Sequence, residues 1–476
     1  MTTSKRFQLT RAAAAVAFLG AGSLALGLTG CGTAVAADDA DTDTLTYWMW
    51  DSNQIPGYQK CATAFEQQNP DILINIEQYG WGDYWTQLTA RMVAESAPDV
   101  FVDHAQQFGK YASFDQILDI SEYIEESGLD MDQYQDGLTD LWKGEDGGIY
   151  GLPKDWDTVG LFYNADMLAD AGYTAEDLEK LEWNPKDGGT FEKFLAHMTI
   201  DQNGVRGDEE GFDPNRVATY GLGYNEAGDG FGQVQWAAFA FSTGWYYGDQ
   251  NPWPRQMDYD DPRFKETIDW YRGLIKKGYI PPLSIATSGI GTLESLGSGG
   301  YATLIEGSWN ARAMSEMGGV NVQVAPTPIG PQGKRASMFN GLSDAVYAGT
   351  DHPDKAWRWV EYLASRECQD MVADEARVFP AIKESSDRAV AKFEELGINA
   401  EAFNVHVQDH TTFLSPVTYN WAQIQSIMAP TMDAIFSFQA DMDSLDPANA
   451  RVNGLLTNPH AELDAEPDVE PGSEDG

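Results

Sequence analysis

Acidic and amide residues stand beside tryptophans at several places in this chain. An aromatic ring can stack on a flat C–H face of a ligand, and a planar carboxylate or amide can bind two hydroxyl groups at once. Residues of these types are therefore suited to bind a polyhydroxylated molecule. The candidates are Asp51 after Trp48 and Trp50, Asp103 and Gln106 around His104, the run Asp155, Trp156 and Asp157, Trp236 beside Gln235, Glu306 before Trp309, and Asn340.

Strands that alternate with helices are predicted to position these residues. The segments "LTYWMW", "ILINIEQYG" and "PDVFVDHA" read as strands, and the stretches between them have helical spacing. This alternation indicates a parallel sheet built from βα units. Ligands of such sheets bind beyond the carboxyl ends of the strands, which here are residues 50–53 and 103–107.

Each candidate also has a structural alternative. The chain contains 15 tryptophans, and we expect three or four of them in a cleft, with the others in cores or at lobe surfaces. A lone aspartate such as Asp51 can equally cap a helix or close a turn. Trp245, Tyr246 and Tyr247 either line an extended groove or pack inside a lobe.

Length and charge limit the class of protein. A chain of 476 residues is too long for one ordinary core and suggests two lobes. Its 74 acidic and 30 basic residues give a net charge of −44, which disfavours nucleic acid and anionic lipid headgroups as partners. A neutral or cationic ligand is the simpler expectation.

The amino terminus has the three parts of a secretory signal, with a basic start, an apolar stretch over residues 12–28 and small residues beyond it. The four residues from Leu28 to Cys31 resemble a bacterial lipobox, which implies cleavage before Cys31 and a lipid on its sulfur. We therefore expect a protein anchored on the extracellular face of a bacterial membrane. The alternative is a secreted protein cleaved at "AVAA".

A longer stretch resembles the signature of family 1 extracellular solute-binding proteins, the sugar receptors of bacterial ABC importers. Lys154 departs from that signature, which has an apolar residue there. Further segments that follow the order of that family over residues 45 to about 440 are "APDVFV", "YGLP", "IEGSW", "APTPIGP", "FNGLSDAV" and "HPDKAWRWVEYLAS". The residues that match the signature itself are Leu161, Phe162, Tyr163, Asn164, Leu168 and Asp170.

The resemblance implies an α/β, two-lobed periplasmic-binding-protein-like fold with a hinge and an interlobe ligand cleft. Chain crossings are expected near 153–158 and 338–344, with later returns of the chain between the lobes. The implied organisation is a signal peptide over 1–30, a lipidated cysteine and tether over 31–44, lobe 1 over 45–155 plus 339–382, lobe 2 over 156–338 plus 383–460, and an acidic disordered tail over 461–476. Cys61 and Cys368 then share a lobe, which favours a disulfide over two buried thiols.

The implied function is a receptor that captures a neutral carbohydrate, an oligosaccharide of two or more units, by hinge closure. It would deliver this ligand to ABC permease subunits with a separate cytoplasmic ATPase, since no G-x-x-x-x-G-K-[ST] motif occurs here. We expect a monomer with no catalytic residues, cofactor or metal. The positions that align with ligand contacts in maltose-type members are Asp51, the Asp103 to Gln106 loop, Asp157, Trp236 and Trp309, and Trp309 is the strongest candidate among them.

Two other functions stay open, a receptor of the same fold for another solute and an extracellular glycoside hydrolase with a carboxylate pair. Weaker chemical signals are a degenerate nucleophile elbow at Gly341, a calcium-binding possibility in the loop 201–216, and a pair of histidines, His406 and His410, expected on a solvated helix face.

Overall fold

The computed structural model describes residues 42–225 and 231–457. The signal peptide, Cys31, nearly all of the tether and the tail over 461–476 lie outside these ranges. Among the helices of the described residues, none combines the length and the apolar character that crossing a membrane requires.

The strands form two separate sheets. The first sheet has the order β11-β4-β10-β3-β1-β2, with β12 paired to β10, and the second has the order β6-β7-β8-β5-β9. In chain order the strands are β1 (Asp43–Met49), β2 (Ile72–Gln78), β3 (Val100–His104), β4 (Leu152–Asp157), β5 (Val159–Asn164), β6 (Ile200–Asp201), β7 (Val217–Leu222), β8 (Tyr301–Gly307), β9 (Val322–Ala325), β10 (Ser337–Val346), β11 (Phe379–Pro380) and β12 (Thr412–Leu414).

The strand directions bring several strand ends to one edge of the first sheet. Strand β1 is parallel to β2 and β3, whereas β10 runs antiparallel to β3 and β4. The carboxyl ends of β1, β3 and β4 therefore lie at the same edge as the start of β10. This edge carries the segments that the sequence analysis predicts to face a ligand.

Helices cover both sheets. In chain order they are α1 (Ile55–Gln68), α2 (Trp81–Val93), α3 (Ala105–Ser113), α4 (Ser121–Ser127), α5 (Ala165–Asp170), α6 (Ala175–Leu178), α7 (Gly189–Met198), α8 (Ala237–Ser242), α9 (Pro262–Lys276), α10 (Leu283–Ala286), α11 (Thr292–Gly297), α12 (Ala311–Ser315), α13 (Pro353–Leu363), α14 (Arg366–Asp374), α15 (Lys383–Glu395), α16 (Glu401–Gln408), α17 (Trp421–Phe436) and α18 (Leu445–Leu456).

Two apolar cores accompany the two sheets. In the first, Trp359 of α13 makes edge contacts with Tyr47 of β1 and Phe65 of α1. In the second, α17 and α18 pack together and contribute buried residues such as Ile424 and Val452. We call the first sheet with its helices lobe 1 and the second sheet with its helices lobe 2.

Three chain crossings connect the lobes and lie side by side. The first is Thr158, between β4 and β5, and its hydroxyl donates to the carbonyl oxygen of Phe403 at 2.9 Å. The second precedes Ser337, whose Oγ accepts from the backbone N–H of Val159 at 2.9 Å. Its own N–H donates to the carbonyl of Thr411, in the third crossing. The hydrogen bonds between them define the hinge.

Two boundaries differ from the sequence-based layout. Strand β10 begins at Ser337, so the second crossing lies just before the segment 338–344. Helix α15 packs against α14 and β11, where Phe393 meets Phe379 with ring centroids 5.0 Å apart. Residues from Lys383 to Glu395 therefore lie with lobe 1, because their apolar face is buried there, whereas the sequence layout places them in lobe 2.

A disulfide joins Cys61 of α1 to Cys368 of α14, with the two residues separated by 307 positions in sequence. Both side chains are fully buried. The bond ties the first helix of lobe 1 to a helix that returns to the lobe much later in the chain.

Replacing both cysteines with alanine is expected to lower the free energy of unfolding by about 2–4 kcal/mol, because a cross-link that closes a long loop restricts the unfolded chain. Urea unfolding of the double variant measures this change, and reduced wild type is the matched control. Equal midpoints for wild type, reduced wild type and variant would contradict a stabilising disulfide.

Candidate ligand site between the lobes

The lobe 1 side of the site is built on adjacent strands. In the register of β10 and β4, Asn340 lies opposite Asp157 and Leu342 lies opposite Asp155. Cross-strand partners point to the same face of a sheet, so these two carboxylates and the amide share one face at the cleft edge. All three polar residues are almost completely buried.

The lobe 2 side comes from the end of β8 and the short 3₁₀ helix Ser308–Asn310 that follows it. The Ser308 hydroxyl donates to Oδ1 of Asp157 at 2.7 Å, and the Ser308 backbone N–H donates to the carbonyl of Thr158 at 3.0 Å. Asp157 thus lies where the two lobes meet.

Trp309 follows Ser308 and is partly buried. Its indole folds back over Gly307, where a Cβ atom would overlap the ring. Glycine at this position therefore allows the aromatic ring to lie flat beside the end of β8. The side chain packs against the lobe 2 core, remains partly exposed, and lies one residue from Ser308, which donates to Asp157.

Glu306 lies immediately before this turn. Its Oε2 accepts from Nδ2 of Asn225 at 2.7 Å, and its Oε1 accepts from the backbone N–H of Gly307 at 2.7 Å. The side chain amide of Gln235 in turn donates to the carbonyl of Asn225. This network fixes the orientation of the Glu306 carboxylate.

A second aromatic group lies at the carboxyl ends of β1 and β3. Trp50 lies 5.1 Å from Trp81 and 5.2 Å from Trp85 between ring centroids, and Trp81 lies 5.6 Å from His104. Trp81 has 49% of its surface exposed. We call Trp50, Trp81, Trp85 and His104 the lobe 1 aromatic patch.

The sequence analysis missed Trp81 and Trp85. Their signal was present, since a spacing of four residues places both rings on one face of α2, and α2 begins just after the carboxyl end of β2. The other missed candidate is Gln233, in the segment before Trp236.

Several buried amide atoms in this region have no hydrogen-bond partner among residues 42–225 and 231–457. They are Nε2 of Gln106, Nε2 of Gln233 and Oδ1 of Asn340. A buried polar group without a partner is unfavourable, so such groups commonly mark places where a ligand or water completes the hydrogen bonds. Gln106 belongs to lobe 1 and Gln233 to the chain segment beside lobe 2 helix α8.

Burial dominates the electrostatics of the carboxylates. It raises the pKa of Asp157 to about 7, against the opposing effect of the Ser308 hydrogen bond. It also raises the pKa of Glu306 to about 7 and moves that of Asp51 upward. Hydroxyl groups that donate to these carboxylates favour their charged forms, so ligand binding and proton release are coupled here.

Three predicted ligand residues lie elsewhere. Trp236 is fully buried, with its ring against Phe264 of α9, because lobe 2 uses it to fill its core. Trp156 is also fully buried, stacked on Phe379 at 4.5 Å, and its indole N–H donates to Ser386. Neither ring has a surface on which a ligand could stack.

Asp103 is the third predicted ligand residue that lies away from the site. It pairs in register with Ser343, whereas the cleft-edge residue Asn340 and its neighbour Leu342 lie on the other face of β10. Burial raises the pKa of Tyr84 and Tyr111, and Asp103 adds to this rise through its charge. Its Oδ1 accepts from the backbone N–H of His104 at 2.8 Å. The carboxyl group is therefore enclosed within lobe 1.

Asp103 has a consequence for stability. Burial raises its pKa to about 8, compared with about 4 in an unfolded chain. Its contribution to stability is complete below pH 4 and is lost as the pH rises through 8, because the charged form is disfavoured when buried. We expect Asp103→Asn to melt at a higher temperature relative to wild type at pH 9 than at pH 5. Parallel melting curves across this pH range would contradict this, and Asp132→Asn at an exposed site is the control.

The aromatic residues Trp245 and Tyr247 are fully buried in lobe 2, and the Tyr246 hydroxyl donates to the carbonyl of Leu414. The aromatic run thus packs the lobe. His406 is fully buried as well, which corrects the expectation of a solvated helix face, because α16 packs against β5. Gly341 lies inside the continuous strand β10.

The loop 201–216 is organised by Asp201. Its Oδ1 accepts from the backbone N–H groups of Asn203 and Val205, and its Oδ2 accepts from that of Asp213. Within the described parts of the chain, no cluster of three or more His, Cys, Asp or Glu side chains is arranged to hold a metal ion.

Two α/β lobes, three crossings and a polar, aromatic cleft between them define the class of two-lobed binding proteins. Residues 60–399 match the family described as bacterial extracellular solute-binding protein. The chain belongs to this family, which confirms the resemblance drawn from the sequence.

Individual relatives agree with this assignment. The maltodextrin-binding protein MdxE of Bacillus subtilis is 25% identical over 359 residues, which cover 73% of this chain and 76% of the relative. A galactooligosaccharide-binding protein of the same organism is 24% identical over 421 residues, covering 86% and 89%.

A solved structure shows the same fold. The ABC substrate-binding protein Lmo0181 from Listeria monocytogenes, in complex with cycloalternan, superimposes with a TM-score of 0.73 at 19% identity, covering 88% of this chain and all of that one. The predicted two-lobed α/β architecture is confirmed by this likeness.

Proposed function

We propose that this protein captures a neutral oligosaccharide between its lobes and delivers it to an ABC permease. The observation that supports the proposal is the Asp157–Ser308 contact, in which a carboxylate of lobe 1 accepts a hydrogen bond from the residue next to Trp309 of lobe 2. A sugar needs both groups, the ring for its C–H face and the carboxylate for its hydroxyls.

The arrangement of the two lobes supports capture by closure. Asp155, Asp157 and Asn340 lie on one side of the cleft edge, and Glu306 and Trp309 lie on the other. A ligand that touches both sides interacts more strongly with the closed form than with the open form and shifts the equilibrium toward closure. The three hinge crossings permit this rotation.

The names of the relatives support carbohydrate over other solutes. Maltodextrin and galactooligosaccharide are the ligands named for the two Bacillus subtilis proteins, and both are neutral chains of several units. The lobe 1 aromatic patch offers a further stacking surface beyond Trp309, which favours an oligosaccharide over a single sugar ring.

Lipidation at Cys31 would keep the receptor at the extracellular face of the membrane, beside the permease. The polar segment over residues 32–44 would then act as a tether. The catalytic alternative is weaker, because the family consists of binding proteins and the site carboxylates are held by hydrogen bonds to Ser308 and Asn225.

Calorimetric titration of the chain from Asp38 onward against α-linked and plant oligosaccharides tests the proposal. Binding at micromolar concentration or tighter, with the oligosaccharide recovered intact, is the expected result. Cleaved products would indicate a hydrolase. The absence of binding across the panel would contradict the carbohydrate proposal and leave a receptor for another solute.

A further inference from the structure

Lys154 is a buried cation beside the ligand site. Only 3% of its surface is exposed, and its Nζ lies 3.0 Å from the centroid of the Tyr58 ring in α1. Among the residues that the structure describes, no oxygen accepts a hydrogen bond from this ammonium group. Its charge is therefore balanced by the aromatic face and by nearby carboxylates rather than by water.

Carboxylates from three separate elements act on Lys154. Asp344 comes from β10 and accepts from the hydroxyl of Tyr47 at 2.6 Å. Asp155 follows Lys154 directly in β4, and neither of its carboxylate oxygens has a hydrogen-bond partner in the described residues. The charged and titratable groups around Lys154 and Asp155 are Asp51, Asp157, Asp344, Tyr47 and Tyr58.

The backbone explains why Lys154 occupies this place. Pro153 pairs with Ser343 and Asp155 pairs with Leu342, so Lys154 is the extra residue of a β-bulge in β4. A bulge redirects a side chain and often lies next to a functional site. Here the bulge lies directly before Asp155, at the strand end that forms the cleft.

We propose that Lys154 is a positioning residue for the ligand site, whose positive charge favours the charged form of the Asp155 carboxylate and so helps it to accept two ligand hydroxyls. The proposal rests on the proposed carbohydrate function. Asp344 already accepts a hydrogen bond from the Tyr47 hydroxyl. Both carboxylate oxygens of Asp155 have no partner among the described residues, so Asp155 is the one that can accept ligand hydroxyls. A lysine without such a role would be an unfavourable residue to bury.

Lys154 offsets part of the effect of burial on Asp155. Burial raises the pKa of Asp155 well above its ordinary value, and the positive charge of Lys154 is the main effect that opposes the rise. Burial lowers the pKa of Lys154, and the charges of Asp344, Asp155 and Asp51 oppose that change. Each group therefore favours the charged form of the other.

The test uses the chain from Asp38 onward with four variants. Lys154→Met removes the positive charge, and Lys154→Arg keeps it. Asp155→Asn removes the carboxylate, and the double variant Lys154→Met with Asp155→Asn shows whether Lys154 acts through Asp155. Carboxyl ¹³C NMR of the ligand-free protein, assigned with Asp155→Asn, measures the Asp155 pKa. Calorimetry from pH 6 to 9 measures affinity for the best oligosaccharide of the panel.

We expect Lys154→Met to raise the Asp155 pKa by at least one unit and to weaken binding at least tenfold at pH 7, with a smaller loss at pH 9. Lys154→Arg should stay within threefold of wild type. Adding Lys154→Met to an Asp155→Asn background should change affinity little, because the charged acceptor is already absent.

An unchanged Asp155 pKa in folded Lys154→Met would overturn the inference, and so would a loss of affinity that is equal at every pH and in the Asp155→Asn background. The NMR measurement needs no ligand. A wild-type protein that binds no carbohydrate would therefore contradict the proposed function, while the Asp155 pKa would still decide the role of Lys154.

Discussion

Replacing Trp309 with alanine is expected to weaken oligosaccharide binding by roughly 30-fold or more. Truncating a central aromatic side chain in a binding site typically costs about 2 kcal/mol or more, which corresponds to this change in Kd. Trp309 fits that description because its ring is fixed over Gly307 and lies one residue from the interlobe contact of Ser308.

The matched control for this prediction is Trp309→Phe, which retains a flat ring and should stay within several-fold of wild type. Melting temperatures separate a loss of binding from a loss of folding, since Trp309 is only partly buried and its removal should affect stability modestly. Folded Trp309→Ala that binds within threefold of wild type would show that the ligand does not stack on this ring.

The second large effect is expected for Asp157→Asn. A hydrogen bond to a charged acceptor contributes about 1.5–3 kcal/mol, so losing the charge should weaken binding by roughly 10- to 100-fold. Ser308→Ala is the informative control, because it removes the 2.7 Å contact to Asp157 and leaves the carboxylate in place. A larger loss in Asp157→Asn than in Ser308→Ala indicates direct contact with the ligand, and equal losses would contradict it.

The pH dependence of this site has a definite sign. The ligand-free pKa of Asp157 is raised to about 7, so at pH 6 most of this carboxyl is protonated. A ligand that donates hydroxyls to the charged form must then displace a proton, and wild-type affinity should fall up to tenfold per pH unit below 7. Asp157→Asn should flatten this profile, with the remaining slope due to Glu306 and Asp155.

The fold was predictable because its signals are local and ordered. Alternating strands and helices predicted the βα units, and the family resemblance carried by the motifs from "APDVFV" to "HPDKAWRWVEYLAS" implied two lobes and a cleft. The assignment of each helix to a lobe depended on tertiary packing, which the spacing of apolar residues does not encode. Helix α15 has an apolar face that either lobe could bury, and only its contact with Phe379 decides between them.

The site was less predictable, and the tryptophans show why. Trp236 and Trp309 each stand near a polar residue in an aromatic context, yet one fills the lobe 2 core and the other lies over Gly307 beside the cleft. The sequence around the two tryptophans does not distinguish a core residue from a cleft residue. That distinction depends on which side of the local turn faces the other lobe. Lys154 shows the same limit, because its role depends on a bulge that only strand pairing reveals.

A crystal structure of the protein with the tightest-binding oligosaccharide would test the central claim most directly. The account predicts a sugar ring on the Trp309 indole, with hydroxyl oxygens within hydrogen-bond distance of Asp157 and Asp155, between the two lobes. A carbohydrate bound away from the cleft, or a cleft occupied by a different solute with no contact to Trp309 or Asp157, would contradict it.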